Sequence, residues 1–196
     1  AAARCRRIAA LFVRHDSVYK QLPGVDAWDA ERDALRWPGG VPAVYHPPCR
    51  AWGAFSWRAK PRDGERECAT WSVERVRQHG GVIEHPAGSK LWPEAGLPEP
   101  GQRDAWGGWT LPVDQHWWGH RASKRTRLYI VGCEPRDIPD MPMVLGEASH
   151  VIGDVGRATL GTKRPEISKA EREHTPPEFA RWLVALARRC KVEVTA

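Results

Sequence analysis

Phenylalanine and tyrosine are scarce, three of each in 196 residues. Long apolar runs are missing as well. Nothing approaches the roughly 20 residues that a membrane-spanning helix needs, so no membrane partner is expected. No Cys-x-x-Cys pair and no compact Cys/His ladder occurs. The five cysteines, at 5, 49, 68, 133 and 190, are odd in number and widely spaced. That pattern argues against a structural zinc site and for a reduced, cytoplasmic protein. The opening "AAARCRRIAALFV" has a faint likeness to a signal peptide, but Arg14 and His15 break the apolar stretch and no small-residue cleavage site follows. There is no internal repeat and no low-complexity tract.

What is abundant is tryptophan, eleven residues in all. Many must fill the core, because burying them is favourable. Others flank Gly and Pro in "DAWGGWTLPVDQHWWGH" at 104–120, where they either stack on bases or plug loops against the core. Lys plus Arg exceed Asp plus Glu by 30 to 24, a net charge of +6. This balance suits a nucleotide or nucleic-acid partner, and equally a solubilising surface. The length fits one domain, residues 1–196, with a real hydrophobic core.

Along the chain, 8–13, 25–28, 41–46, 82–86 and 127–133 read as strands, the third stopped by Pro47 and Pro48. "ERECATWSVERVRQHGG" has helical spacing, with Ala69, Val73 and Val76 on one side and Gly80-Gly81 as its stop. "TPPEFARWLVALARRC" reads as an amphipathic helix with a proline start and a Phe179, Leu183, Leu186, Ala187 stripe. The region 87–126 is expected to be packed loops and short strands, and 134–170 to be turn-rich and polar. Strand, loop, helix, strand is the rhythm of an α/β sheet. In such sheets working residues lie beyond the carboxyl ends of the strands.

Three short signals fall near such ends: "HPPC", "EHP" and "KRTR". Pro-Pro stiffens the approach to Cys49, and a positive neighbour lowers a thiol's pKa, a part open to Arg50 or His46. The alternative is an inert cysteine at a strand end. Glu84 can hold the ring nitrogen and amine of a nucleobase, or simply cap a strand; His85 suits acid–base work or a backbone contact. Arg125 and Arg127 point to one side of an extended segment and suit a phosphate or carbonyl, or lace the sheet edge to acidic neighbours. A metal site from His46, Cys49 and His85 is a weaker alternative.

Taken together, these segments resemble the DNA (cytosine-5) methyltransferases. "PPCRAWG" is similar to that family's Pro-Pro-Cys-Gln-x-Phe-Ser, "EHP" to its Glu-Asn-Pro or Glu-Asn-Val, and "ASKRTRLYIVG" to its Pro-Gln-x-Arg-x-Arg stretch. The last helix resembles the family's closing helix. The resemblance implies a reduced Rossmann-like methyltransferase sheet. It implies that Cys49 attacks C6 of a flipped or single-stranded cytosine, with Glu84 on N3 and the amine. Arg125 or Arg127 would orient the base, Pro48 would set the turn, and Arg50, Trp52 and His85 would lie at the substrate.

It also implies S-adenosyl-L-methionine as donor, yet the family's Phe-x-Gly-x-Gly loop is missing, and "ALFVRHDSVYKQLPG" stands in its place. The glutamine after the nucleophile is Arg50, the asparagine after the glutamate is His85, and the glutamine of the arginine segment is Ser123. The target-recognition region is missing too, so a pyrimidine nucleotide, or a partner subunit that supplies specificity, becomes an expected alternative to DNA alone. Modification of viral or plasmid DNA would suit so compact a relative. The expectation is an enzyme of this kind; the alternative is a non-catalytic nucleic-acid or nucleotide binding protein.

Overall fold

The computed structural model describes residues 6–53, 56–57, 59–153, 161 and 163–191; Cys5 lies outside them. Six strands, β1 (Ile8–Leu11), β2 (Val25–Trp28), β3 (Ala43–Tyr45), β4 (Gly81–Pro86), β5 (Trp109–Asp114) and β6 (Arg125–Val131), form one sheet in the order β2-β1-β3-β4-β6-β5. The first four run parallel, whereas β6 is antiparallel to both β4 and β5. Helices α1 (Glu65–His79), α2 (Leu91–Glu94), α3 (Lys169–Glu173) and α4 (Pro177–Arg189) surround it. This is a mixed α/β fold.

Both faces of the sheet are buried, which explains why its parallel strands read as short apolar runs rather than alternating ones. On one face the predicted stripe of α4, Phe179, Leu183, Leu186 and Ala187, packs with Ile8, Val44, Val82, Leu128 and Ile130. On the other, Ala69, Val73 and Val76 of α1 pack with Ala9, Leu11, Tyr45, Ile83 and Tyr129. Tryptophan fills much of the remaining core: Trp37, Trp52, Trp92, Trp109, Trp118 and Trp182 are buried, while Trp57 and Trp106 lie on the surface.

Two backbone features set the site's edge. β1 stops at Leu11, not at Val13, because Phe12 adopts φ 59°. A bulky residue in the left-handed region is unusual, and here its ring meets Trp71 edge-on at 5.8 Å. At the start of β4, Gly81 has φ 122°, and a Cβ there would lie 2.0 Å from the Ala43 carbonyl oxygen. Only glycine permits β3 and β4 to pair at that point.

The region 87–126 is packed, as expected: it holds α2, β5 and a 3-10 turn, Gln115–Trp118. The 134–170 stretch contributes a 3-10 turn at Pro135–Asp137 and isolated bridges from Ala122 to His150 and from Val151 to Glu166. It leads into α3, none of whose residues is buried. Among the described residues, no helix is long and apolar enough to cross a membrane.

Candidate functional site

The chain order reverses between β1 and β3, since β1 lies between β2 and β3. A cleft of about 1100 Å³ opens beyond the carboxyl ends of the parallel strands, where such sheets place ligands. Its lining comes from residues after β1, after β3, at the end of β4, at the start of β6, and from α3.

β3 delivers the first candidate. His46 N–H still donates to the Leu11 carbonyl at 3.0 Å, continuing the ladder for one residue. Pro47 and Pro48 have no N–H to extend it, so the chain turns away and Cys49 opens the 3-10 turn Arg50–Trp52. Cys49 is the exposed one among the free cysteines of the described residues; Cys68, Cys133 and Cys190 are buried. It lines the cleft together with Pro48.

β4 delivers Glu84, on the same face as its register partner Leu128. Glu84 Oε2 accepts from His46 Nδ1 at 2.9 Å and Oε1 accepts from Gln115 Nε2 at 3.0 Å. His46 Nε2 lies 2.8 Å from the Tyr19 hydroxyl, and Gln115 Nε2 also donates to Thr126 Oγ1 at 3.1 Å. Tyr19, His46, Glu84, Gln115 and Thr126 thus form one polar chain, of which Tyr19, His46 and Glu84 line the cleft. Burial pulls the Glu84 carboxyl upward, but the His46 hydrogen bond and the charges of His46 and Lys124 outweigh it and hold the group at about 2. An ionised carboxylate only accepts, so His46 Nδ1 carries a proton. Burial, then Glu84, keeps the Tyr19 phenol protonated well above the ordinary range.

The thiol of Cys49 is not pre-ionised. Although the residue is exposed at the cleft, the protein around its thiol desolvates it, and this, then the Glu84 carboxylate, push it up, with Lys124 and Arg50 pulling only partly against them. The two groups expected to activate it are engaged elsewhere. Arg50 pairs with Glu65, and both ring nitrogens of His46 are committed to Tyr19 and Glu84. Lys124, inside the quoted "KRTR" but not singled out, is the cation whose charge favours both the thiolate and the carboxylate.

The other sequence candidates divide. Arg125 lines the cleft and has no ion pair among the described residues. Arg127 lies opposite His85 in the β4–β6 register, on the face away from Glu84, and its Nη1 pairs with Glu99 at 3.2 Å. His85 is sealed under that face, 0% exposed, with neither ring nitrogen hydrogen-bonded. Burial drives its imidazole down to about 4, although the Glu84 carboxylate pulls the other way. Strand alternation explains the split between adjacent Glu84 and His85, which must face opposite sides, whereas Arg125 shares Arg127's side of β6 and lines the cleft from the first residue of the strand. The same alternation puts His85 and His46 on opposite faces, although the His85 ring lies near the Pro48 backbone, and no group of three or more metal-type ligands occurs among the described residues. Trp52 is core, 2% exposed, beneath the Arg66 guanidinium at 4.0 Å.

The residues after β1 do not fit S-adenosyl-L-methionine in the manner of a glycine loop. Phe12 supplies a left-handed turn, but Arg14 then bonds Asp16 at 3.0 Å and Glu173 at 3.2 Å. At the end of β2, Asp29 is an acidic residue placed where a ribose acceptor would sit. Its carboxylate is already filled by Lys20 at 2.6 Å and by the backbone N–H groups of Glu31 and Arg32.

Sequence reasoning missed Tyr19 and Gln115 and placed His46 only as a neighbour of the thiol or a metal ligand. One signal was available: Val44 and His46 alternate onto one face of a strand, as Val82 and Glu84 do on the next. No protein-family model matches the chain, and no curated protein sequence matches it.

Proposed function

We propose that this chain is a pyrimidine-base-modifying enzyme of the cytosine-5 methyltransferase kind. The observation that carries this reading is the convergence of Cys49 from β3 and Glu84 from β4 on one cleft, with Lys124 and Arg125 beside them. The finer reading of the sheet as a reduced Rossmann-like methyltransferase sheet is supported by its four parallel strands, its reversal at β1 and its reversed β6.

The chemistry begins with cytosine out of any stack, its ring in the cleft. The Cys49 thiol gives up its proton to water in the cleft, and the S–C6 bond forms as the C5=C6 π bond breaks. The electron pair moves to C5, and Glu84 accepts from the exocyclic amine. Lys124 stabilises the thiolate in the approach, and Arg125 meets the base or its carbonyl. C5 then takes an electrophile: a proton from solvent, or a one-carbon group from an electrophilic donor that would depart with the pair of the bond broken. Loss of the C5 proton restores the double bond and expels the thiolate.

Intact-mass spectrometry with 5-fluorocytosine, as nucleotide and within DNA, tests the nucleophile. Exchange of the C5 hydrogen in D2O tests the same step without a donor. Exchange by the native protein and its loss in Cys49→Ala are expected. A native protein that exchanges no faster than Cys49→Ala overturns the proposal. The raised thiol pKa favours a second reading, a protein that binds nucleotides without reacting with them. Binding with neither exchange nor adduct is the outcome that selects it.

A further inference from the structure

The cleft carries more positive charge than its own carboxylates satisfy. Seven Lys and Arg side chains line it against four carboxylates. Each of those carboxylates already has a partner. Asp16 and Glu173 share Arg14, Glu171 takes a two-point contact from Arg121, and Glu84 takes His46. Lys124, Arg125, Lys169 and Arg172 are left without an ion pair among the described residues. Lys169 and Arg172, three residues apart on α3, present their charges on one side of the helix.

A second, independent observation points to a ligand. His120 lines the same cleft, is 5% exposed, and keeps a buried Nε2 with no hydrogen-bond partner. Its Nδ1 lies 2.7 Å from the Ala122 carbonyl and 3.2 Å from the Ala122 N–H; the shorter contact, to an oxygen that only accepts, places the proton on Nδ1 and makes Nε2 an acceptor. It suits a sugar hydroxyl. An anion and a hydroxyl donor side by side describe a sugar phosphate.

The shape of the cleft narrows this further. α3 crosses from one rim to the other. Glu171 pairs with Arg121 beside the Gln115–Trp118 turn, and Glu173 pairs with Arg14 after β1. His174 Nε2, just beyond α3, lies 3.9 Å from Asp16. A short helix tied to both rims covers part of the cleft, which favours a compact ligand over a continuous strand. We therefore propose that the ligand is a pyrimidine nucleoside monophosphate, with its phosphate held by Lys169 and Arg172 on α3 and its base directed to Cys49, Lys124 and Arg125. This rests on the base-modifying reading for the base, and on charge and shape alone for the phosphate.

Calorimetric titration of the full chain with dCMP, deoxycytidine and a short oligodeoxycytidylate tests it. dCMP is expected to bind about tenfold or more tighter than deoxycytidine, as charge-assisted contacts to a phosphate require. The double variant Lys169→Glu/Arg172→Glu should abolish that difference while leaving deoxycytidine affinity and Tm unchanged, because neither side chain is buried. Equal affinity for dCMP and deoxycytidine overturns the phosphate wall, and tighter binding of the oligonucleotide than of dCMP overturns the monophosphate. The titration does not depend on reaction at Cys49. Tight dCMP binding without C5 exchange removes the chemistry alone, and exchange without a dCMP preference removes the phosphate wall alone.

Discussion

Cys49 stands between two opposing charges, and the balance is measurable. Desolvation, then Glu84, holds its thiol above the ordinary range, while Lys124 draws it down. Alkylation of Cys49 by iodoacetamide, followed against pH by peptide mass spectrometry, should therefore titrate higher than a free thiol. Lys124→Gln should move that midpoint further up, and Glu84→Gln should move it down. A midpoint insensitive to both would remove the electrostatic coupling. His85 gives a second test at the same scale. Its folded-state value near 4 lies below its ordinary 6.5, so the unfolded chain binds the extra proton between those limits. Stability is then complete above pH 6.5 and is lost as pH falls toward 4, by about 3 kcal/mol in all. Glu84, held near 2 against an ordinary 4.5, adds a separate loss only below about pH 4.5. Urea unfolding of His85→Leu should show the upper limb flattened and the lower one retained.

At the scale of elements, the cleft exists because β3 and β4 end together, and that depends on how they begin. Gly81 lets β4 lie against Ala43 with φ 122°. Gly81→Ala sets a Cβ against fixed backbone and should cost about 4 kcal/mol or more, a magnitude reserved for such named clashes. Gly40→Ala is the control: φ there is 88°, but a Cβ meets nothing within 4 Å. It should cost only the left-handed strain, about 1–2 kcal/mol. Similar urea midpoints for the two variants would contradict the close approach. Phe12 presents the converse situation. Its left-handed turn follows β1 where a glycine would be unstrained, and packing on Trp71 holds it. The loop that begins there is closed by side-chain pairs, Arg14 with Asp16 and Glu173, rather than left open as a nest of backbone N–H groups.

Over the whole molecule, part of the net charge of +6 is concentrated at one place. Many surface cations sit in ion pairs, as Arg32 does with Asp26, Arg103 with Glu134 and Arg181 with Glu178. Four of those without partners collect at one cleft. The short helix over that cleft is held by exposed pairs, which salt screens. The ligand binding proposed there would accordingly be a property of charge placement rather than of net charge.

Much of this architecture is legible in the chain itself. Five of the strands, α1 and α4 follow from apolar runs and 3.6-residue spacing, because short-range periodicity reports which face is buried. Proline at 47 and 48 and glycine at 80 and 81 mark where β3 and α1 stop. β5, by contrast, lies in a Gly/Pro/Trp-rich stretch, and it is pairing with β6 that makes it a strand. The candidate cysteine, glutamate and first arginine are also local signals, each sitting at a strand end. Tertiary structure alone decided the rest. Alternation put Glu84 in the cleft and His85, with Arg127, beneath the other face. The fold brought Tyr19 and Gln115, 65 and 31 residues away from or beyond Glu84, onto the same polar chain. It also laid α3 across the opening. Those are contacts between residues far apart in sequence, and no periodicity within a single segment encodes which distant partner arrives.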